Sequence, residues 1–204
     1  MSHNYEFKST IELYFSYYLE ELQDNGYIDW WGYESSTYDL SESVSLPYKQ
    51  YLKSGKIKDK LEHVMHKASI TADFTIEWLE KAKNVFYLDV NEPIDYMSSV
   101  RDIPFRVNGN LVSEVEIKGS SERTTSSSVS FPYKQKWCYQ LYKVYIQKIK
   151  PIHPTKGLLF GDTFTPKKVI KEEVYKRDCK WGKKGESKLK YEIKTLDEFI
   201  KNNT

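Results

Sequence analysis

Residues Val112 to Gly119 read VSEVEIKG, and strict alternation puts Val112, Glu114, Glu116 and Lys118 on one face of a strand, with Ser113, Val115 and Ile117 on the other. Two carboxylates and an ammonium in alternate positions fit a solvated outer face, and they also fit a charged site. Asp73 favours the site: it stands in TADF, inside an otherwise apolar strand-like segment where aspartate is disfavoured by propensity. Glu12 adds a third carboxylate, in a first helix that follows FKST, although the helix macrodipole alone would favour a glutamate there. Carboxylates ~4 Å apart repel by roughly 4 kcal/mol at an effective dielectric of about 20, so a fold that gathers them implies a bound cation or raised pKa values. Hard oxygen ligands of this kind suit magnesium. A neighbouring lysine would orient or help deprotonate an attacking water and offset charge on a phosphate. The chemistry within reach is metal-assisted cleavage of a phosphodiester.

The elements that must position these groups follow from local signals. Ser9 or Thr10 caps a helix from Ile11, with Leu13, Tyr14, Tyr17, Tyr18, Glu21 and Leu22 at helical spacing and Asn25-Gly26 as its stop. Residues 27–33 (YIDWWGY) read as the first strand, 69–78 (SITADFTIEW) as another, and 85–90 (VFYLDV) as a further candidate. Residues 34–60 are polar and fit a loop with an edge strand, while 91–111 read as a connecting insertion. After Gly119 the run SSERTTSSSVS predicts a flexible loop. Pro132 then opens a predicted helix to Pro151, with Trp137, Leu141, Val144, Tyr145 and Ile149 as its apolar stripe. Beyond it lie a short helix near KKVIKEEVYKR and a capped final helix at TLDEFIKN. Helix, strands, helix and basic tail describe an α/β or α+β domain with a flanked central sheet.

With 204 residues the chain is long enough for one well-buried core plus an extension. No apolar run approaches a membrane span, and the N-terminus lacks the order of a secretory signal. Cys138 and Cys179 have no CxxC spacing, which predicts reduced thiols in a cytoplasmic protein. The net charge of +2 says little about partners, but its excess lies after Lys134 and the acidic patches lie in the first third. That asymmetry fits one side facing a polyanion, and it also fits a solvated lysine-rich surface.

Glu in a first helix, Asp in a hydrophobic-x-Asp-Phe strand and then Glu-x-Lys-Gly resembles the PD-(D/E)xK nuclease superfamily. The order is closest to the phage endonuclease I type of Holliday-junction resolvase, through FKSTIELYFSYYLEELQDNGYI, TADF and EVEIKG. The resemblance implies a restriction-endonuclease-like α/β fold, a central mixed sheet flanked by helices. It spans about residues 1–150, with an insertion at 79–111 and a basic extension at 151–204. It further implies Glu12, Asp73 and Glu116 as ligands of Mg2+ (with Mn2+ able to substitute) and Lys118 as the water-orienting or phosphate-facing base. The expected activity is cleavage of branched DNA during recombination, a metal-activated water attacking phosphorus and leaving a 5′-phosphate, in the host cytoplasm if the gene is a phage's. Two positions depart from the pattern: Ala72 replaces the proline before the aspartate, and the gap from Asp73 to Glu116 exceeds a short hairpin. If VFYLDV were the true second strand, Asp89 would compete with Asp73. Asp73 ranks ahead because only Glu116 is followed by x-Lys-Gly.

Lys134, Lys136, Lys143, Lys168, Lys171, Arg177, Lys183 and Lys184 are the expected phosphate contacts. Glu114 is expected to be solvated or to stand behind the metal ligands. Gln135 and Tyr139 have the spacing of a QxxxY helix, and surface and core roles fit them better than a site role. His63 and His66, three apart on a possible helix, lack a third ligand at matching spacing and read as surface residues. Tyr14, Tyr17, Tyr18, Trp30, Trp31 and Tyr33 supply material for a two-fold dimer interface, or else pack on the insertion. Other readings of the same residues are a restriction-type or single-strand-specific nuclease, and a DNA-binding protein on the same fold that does not cut.

Overall fold

The computed structural model describes residues 5–89, 105–118, 126–151, 160, 163–170 and 194–203. Helix α1 (Thr10–Asp24) starts at Ser9, whose side chain accepts the Glu12 N–H, and it ends at Asn25. Gly26 follows at φ +71°, a conformation that glycine adopts without strain. Chain order then gives β1 (Ile28–Tyr33), β2 (Thr37–Ser41), β3 (Val44–Tyr51), β4 (Ile57–Met65), β5 (Ala68–Thr71), β6 (Phe74–Trp78), β7 (Leu88–Asp89), β8 (Arg106–Val107) and β9 (Val112–Ile117). Helix α2 (Ser126–Tyr142), β10 (Ile146–Ile149) and a last helix, α3 (Leu196–Asn203), complete the described elements.

The central sheet has the order β1-β6-β9-β10. Its first three strands are antiparallel neighbours and β10 runs parallel to β9, so the fold is mixed α/β with a mixed sheet. One face buries Ile28, Trp31, Phe74, Ile76, Val115, Ile117 and Ile149 against Phe15, Tyr18, Leu19 and Leu22 of α1. The other face carries a smaller cluster, in which Leu40, Ile70 and Ala72 meet Phe131 and Cys138 of α2 and Ile146 of β10. No helix among the described residues is long and apolar enough to cross a membrane.

Several expectations need correction. The segment 69–78 is two strands, because the chain bends at Ala72 and Asp73. Residues 34–60 contain β2, β3 and the start of β4 rather than one edge strand, and His63 and His66 lie on and just after β4, not on a helix. Of 85–90 only Leu88–Asp89 is strand. The predicted helix from Pro132 to Pro151 is a helix and a strand: Ser126–Tyr142 is helical with Pro132 inside it, Lys143 takes φ +61°, and Ile146–Ile149 joins the sheet. Residues 126–130, expected to be loop, belong to α2, while 119–125 lie outside the described residues. Ala82, Phe86, Tyr87, Phe105 and Val107 are buried in the core, so the two ends of the supposed insertion are structural.

The aromatics proposed for an interface are largely core residues. Tyr14, Tyr18 and Trp31 are buried, Tyr17 and Tyr33 are half-buried, and of the set only Trp30 is exposed. Tyr18 packs on Phe160 and Phe164, with ring centroids 5.2 and 4.5 Å apart, and its hydroxyl meets the Thr163 hydroxyl at 2.9 Å. Phe160, Phe164, Val169, Leu196 and Phe199 all join the main core, so the described residues beyond 151 complete the domain rather than trail from it. The expected final helix is capped: Thr195 Oγ1 donates to Glu198 Oε2 at 3.0 Å and accepts from the Glu198 N–H at 3.4 Å. Thr195→Ala should lower global stability by about 1 kcal/mol, roughly 2–4 °C in Tm. A calorimetric scan checks this, since cap loss in a detached tail would leave the main transition unmoved.

Candidate active site

The register of β6 with β9 pairs Phe74 with Val115 and Thr75 with Glu114, so continuing it by one residue sets Asp73 opposite Glu116. The Ile117 N–H donates to Asp73 Oδ2 at 2.7 Å, which fixes one carboxylate oxygen. Burial pushes the Asp73 carboxyl up to about 7, helped by the Glu116 and Glu12 charges and opposed by the Ile117 N–H and Lys118. Lys118 forms an ion pair with Glu116, and its Nζ lies 5.9 Å from the Phe131 ring centre. On the far side of β9, Lys148 of β10 pairs in register with Glu116 and adds a second lysine to the same edge of the site.

Glu12 approaches from the N-terminus of α1. It completes the cap there: Ser9 Oγ donates to Oε1 at 2.8 Å and the Lys8 N–H to Oε2 at 3.0 Å. The Tyr33 hydroxyl also donates to Oε2 at 2.6 Å. Glu12 therefore serves the helix end and also lies close enough to raise the Asp73 pKa. Burial, followed by the hydrogen bond to Glu12, holds the Tyr33 hydroxyl well above the usual phenol range.

Reading the sequence missed three neighbours. Lys8 forms an ion pair with Glu34 and feels the Asp73 and Glu12 charges. Glu34 sits at φ +47°, unusual for a residue with a side chain, and its N–H donates to the Asp73 carbonyl at 2.9 Å. With Tyr33 they rim Asp73, and no periodicity in 5–36 marks them. A positive-φ glutamate is visible only in the structure.

Glu114 is not solvated. It is buried, and it accepts from the Tyr38 hydroxyl at 2.8 Å and from Thr75 Oγ1 at 2.8 Å. Burial still raises its pKa, and those two donors, with Ser36, pull the other way. Its oxygens are spoken for, so it braces β2 against the sheet from behind the site. The thiol of Cys138, buried and free, is pushed up to about 11 by burial and by the Glu114 charge. Cys179 lies outside the described residues.

Of the expected phosphate contacts, Lys136 and Lys143 are exposed on and just after α2. Lys134 is half-buried and donates to the Ser69 carbonyl at 2.9 Å, tying α2 to β5. Lys168 is held by Glu20 and lies over the Tyr17 ring, and Lys171, Arg177, Lys183 and Lys184 lie outside the described residues. Gln135 donates to the Ile146 carbonyl at 2.6 Å and Tyr139 is exposed, so both belong to the helix surface and its packing. His63 and His66 are exposed and meet each other at 2.9 Å. Asp89 is on β7, but its side chain is outside what is described.

Among the described residues no three His, Cys, Asp or Glu side chains are gathered as a ready metal-holding group. The Asp73–Glu116 pair nevertheless has the donor chemistry of a magnesium site, since that ion is usually held by one or two carboxylates with waters and substrate phosphates supplying the rest. Comparison with family models, curated proteins and solved structures found no match for this chain.

Proposed function

We propose that this protein is a Mg2+-dependent DNA endonuclease that cuts branched DNA, with Asp73 and Glu116 as the metal-holding pair. The observation that carries this reading is their juxtaposition: two carboxylates, one at the bend before β6 and one on β9, the first buried enough to titrate about 7 and the second paired with a lysine. A carboxyl raised by burial and by a neighbouring charge, as Asp73 is, marks a functional-site candidate. The restriction-endonuclease-like architecture belongs to the same reading. It is supported by the order of α1, the antiparallel β1-β6-β9 strands and the parallel β10.

A bound magnesium ion would polarise the scissile phosphate and lower the pKa of a water beside it. The chain's own groups do the rest. Asp73 and Glu116 present oxygens at the junction of β6 and β9, and the Ile117 N–H keeps the Asp73 carboxylate turned in one direction. Lys118, ion-paired with Glu116, would be the group that pairs with a phosphate oxygen or orients the attacking water. Glu12, bonded to Tyr33 at the α1 end of the site, would be a third carboxylate beside the pair. Cutting both strands at a branch needs two sites related by a two-fold axis, so this reading includes a homodimer.

A DNA-binding protein that does not cut is the second reading, favoured by the engagement of every described Glu12 contact in capping and Tyr33 bonding. Incubation with a four-way junction, a linear duplex and a single strand, each with Mg2+, Mn2+ or EDTA, separates them. The junction should be cut with either metal and spared in EDTA. Failure to cut any substrate with either metal, while still binding them, would leave the non-cutting reading.

A further inference from the structure

Between β2 and β5 the chain leaves the body of the protein as a two-stranded antiparallel ribbon, β3 paired with β4 from Val44↔Met65 out to Tyr51↔Ile57. Every residue of both strands except Gln50 is exposed. The tip closes through the Leu52 N–H to the Lys56 carbonyl at 2.8 Å, with Gly55 at φ +78° supplying the turn. A two-stranded ribbon with no core on either face is marginal in water on its own, so its apolar side chains call for a partner. Leu46, Tyr48, Tyr51, Ile57 and Leu61 are among them, and Leu61 and Tyr51 are 73% and 77% exposed.

The charge of the ribbon identifies the partner's chemistry. Its outer half carries Lys49, Lys53, Lys56, Lys58 and Lys60 against Asp59 alone. Among the described residues none of these lysines makes an ion pair. The register interleaves them with the apolar groups: Tyr48↔Lys60 and Gln50↔Lys58 share one face, while Lys49↔Asp59 separates Pro47↔Leu61 from Tyr51↔Ile57 on the other. Cores of protein–protein interfaces are depleted of lysine, so the face that carries Lys58 and Lys60 does not suit a second protein chain. Lysines that merely guard exposed edges against self-pairing would not need large apolar neighbours in the open. Lysines alternating with aromatic and aliphatic groups match a surface of phosphates, sugars and base edges.

We infer that the β3–β4 ribbon is an arm that lies in a groove of a DNA duplex, its outer lysines on the flanking phosphates. The inference rests on the proposed DNA substrate and extends it to a second contact. Eight residues at ~3.3 Å each make the arm about 26 Å long, roughly the rise of eight base pairs at ~3.4 Å per step. Two strands ~4.8 Å apart fit a major groove about 12 Å wide. The root is also in the right place: β5, paired with β2 beneath the ribbon, ends at Thr71, two residues before Asp73.

The test is anisotropy of a fluorescent 24-base-pair duplex in EDTA, titrated with salt, for the wild type and for K53Q/K56Q/K58Q/K60Q. All four side chains are exposed, so the variant should melt at the wild-type temperature. Each phosphate contact contributes roughly 0.9 to the log–log salt slope, so the variant should bind at least about tenfold more weakly and lose roughly 3 to 4 from the slope. Wild-type affinity and slope in the variant, with cleavage intact, would overturn the arm and leave the nuclease reading standing. A lysine-dependent slope in a protein that never cuts would keep the arm and remove the nuclease reading. Conversion of a dimer to a monomer by Leu61→Asp, with duplex affinity unchanged, would make the ribbon a contact between copies and overturn the proposal.

Discussion

Glu116→Gln is expected to lower Mg2+-dependent cleavage by roughly 10²–10⁴-fold while leaving DNA affinity in EDTA within about twofold. The size follows from the role: a metal's electrostatic help at a phosphoryl group is worth several kcal/mol, and each 1.36 kcal/mol is about tenfold in rate. The substitution preserves shape, and the charge it removes both disfavours ionised Asp73 and pairs with Lys118, so its two effects on stability oppose each other. Lys118→Ala should lower cleavage as well, because it deletes the cation paired with Glu116, and Lys118→Arg should recover part of the rate. Single-turnover cleavage of a junction measures both. Wild-type turnover in Glu116→Gln would remove Glu116 from the chemistry altogether.

How far the sequence carried these conclusions depends on how local each signal was. The Ser9 cap, the Asn25–Gly26 stop and the alternation of β9 are short-range features, and each was readable from a few residues. The opposition of Asp73 and Glu116 was readable only through a pattern of residue types, since the strands pairing them are 34 residues apart, from Trp78 to Val112. The ribbon was missed for a physical reason. Alternation reports one buried face, and β3 and β4 have none, so residues 44–65 gave no period.

The end of α2 was misread because Trp137, Leu141, Val144 and Tyr145 fit a helical stripe that in fact stops at Tyr142. The β-branched Val144, Ile146 and Ile149 were the available strand signal, and the partner strand β9 decided the matter. Glu114 illustrates the same limit. A charged residue on a strand reads as solvated, and only Tyr38 and Thr75, from distant parts of the chain, let it be buried.

Asp73→Asn should stabilise the protein at pH 8 without metal and abolish its stabilisation by Mg2+. The folded-state pKa of Asp73 is raised from 3.8 to about 7, chiefly by burial. Between those values the folded protein holds a proton that the unfolded chain has released, so its contribution to stability is full below about pH 4 and is lost as pH rises through 7. At pH 8 the ionised carboxylate therefore costs on the order of 4 kcal/mol relative to a neutral group of the same shape. The variant should melt roughly 10 °C higher there and should match the wild type near pH 4. Magnesium reverses the balance, because it binds the ionised carboxylate and competes with the proton. Saturation at about 100 times Kd adds roughly 2.7 kcal/mol, so wild-type Tm should rise with Mg2+ at pH 8 and respond weakly at pH 5.5. Melting curves of both proteins at three pH values, with and without Mg2+, read all of this without any DNA present. An equal magnesium shift in wild type and Asp73→Asn would show that the ion, if it binds, is held elsewhere.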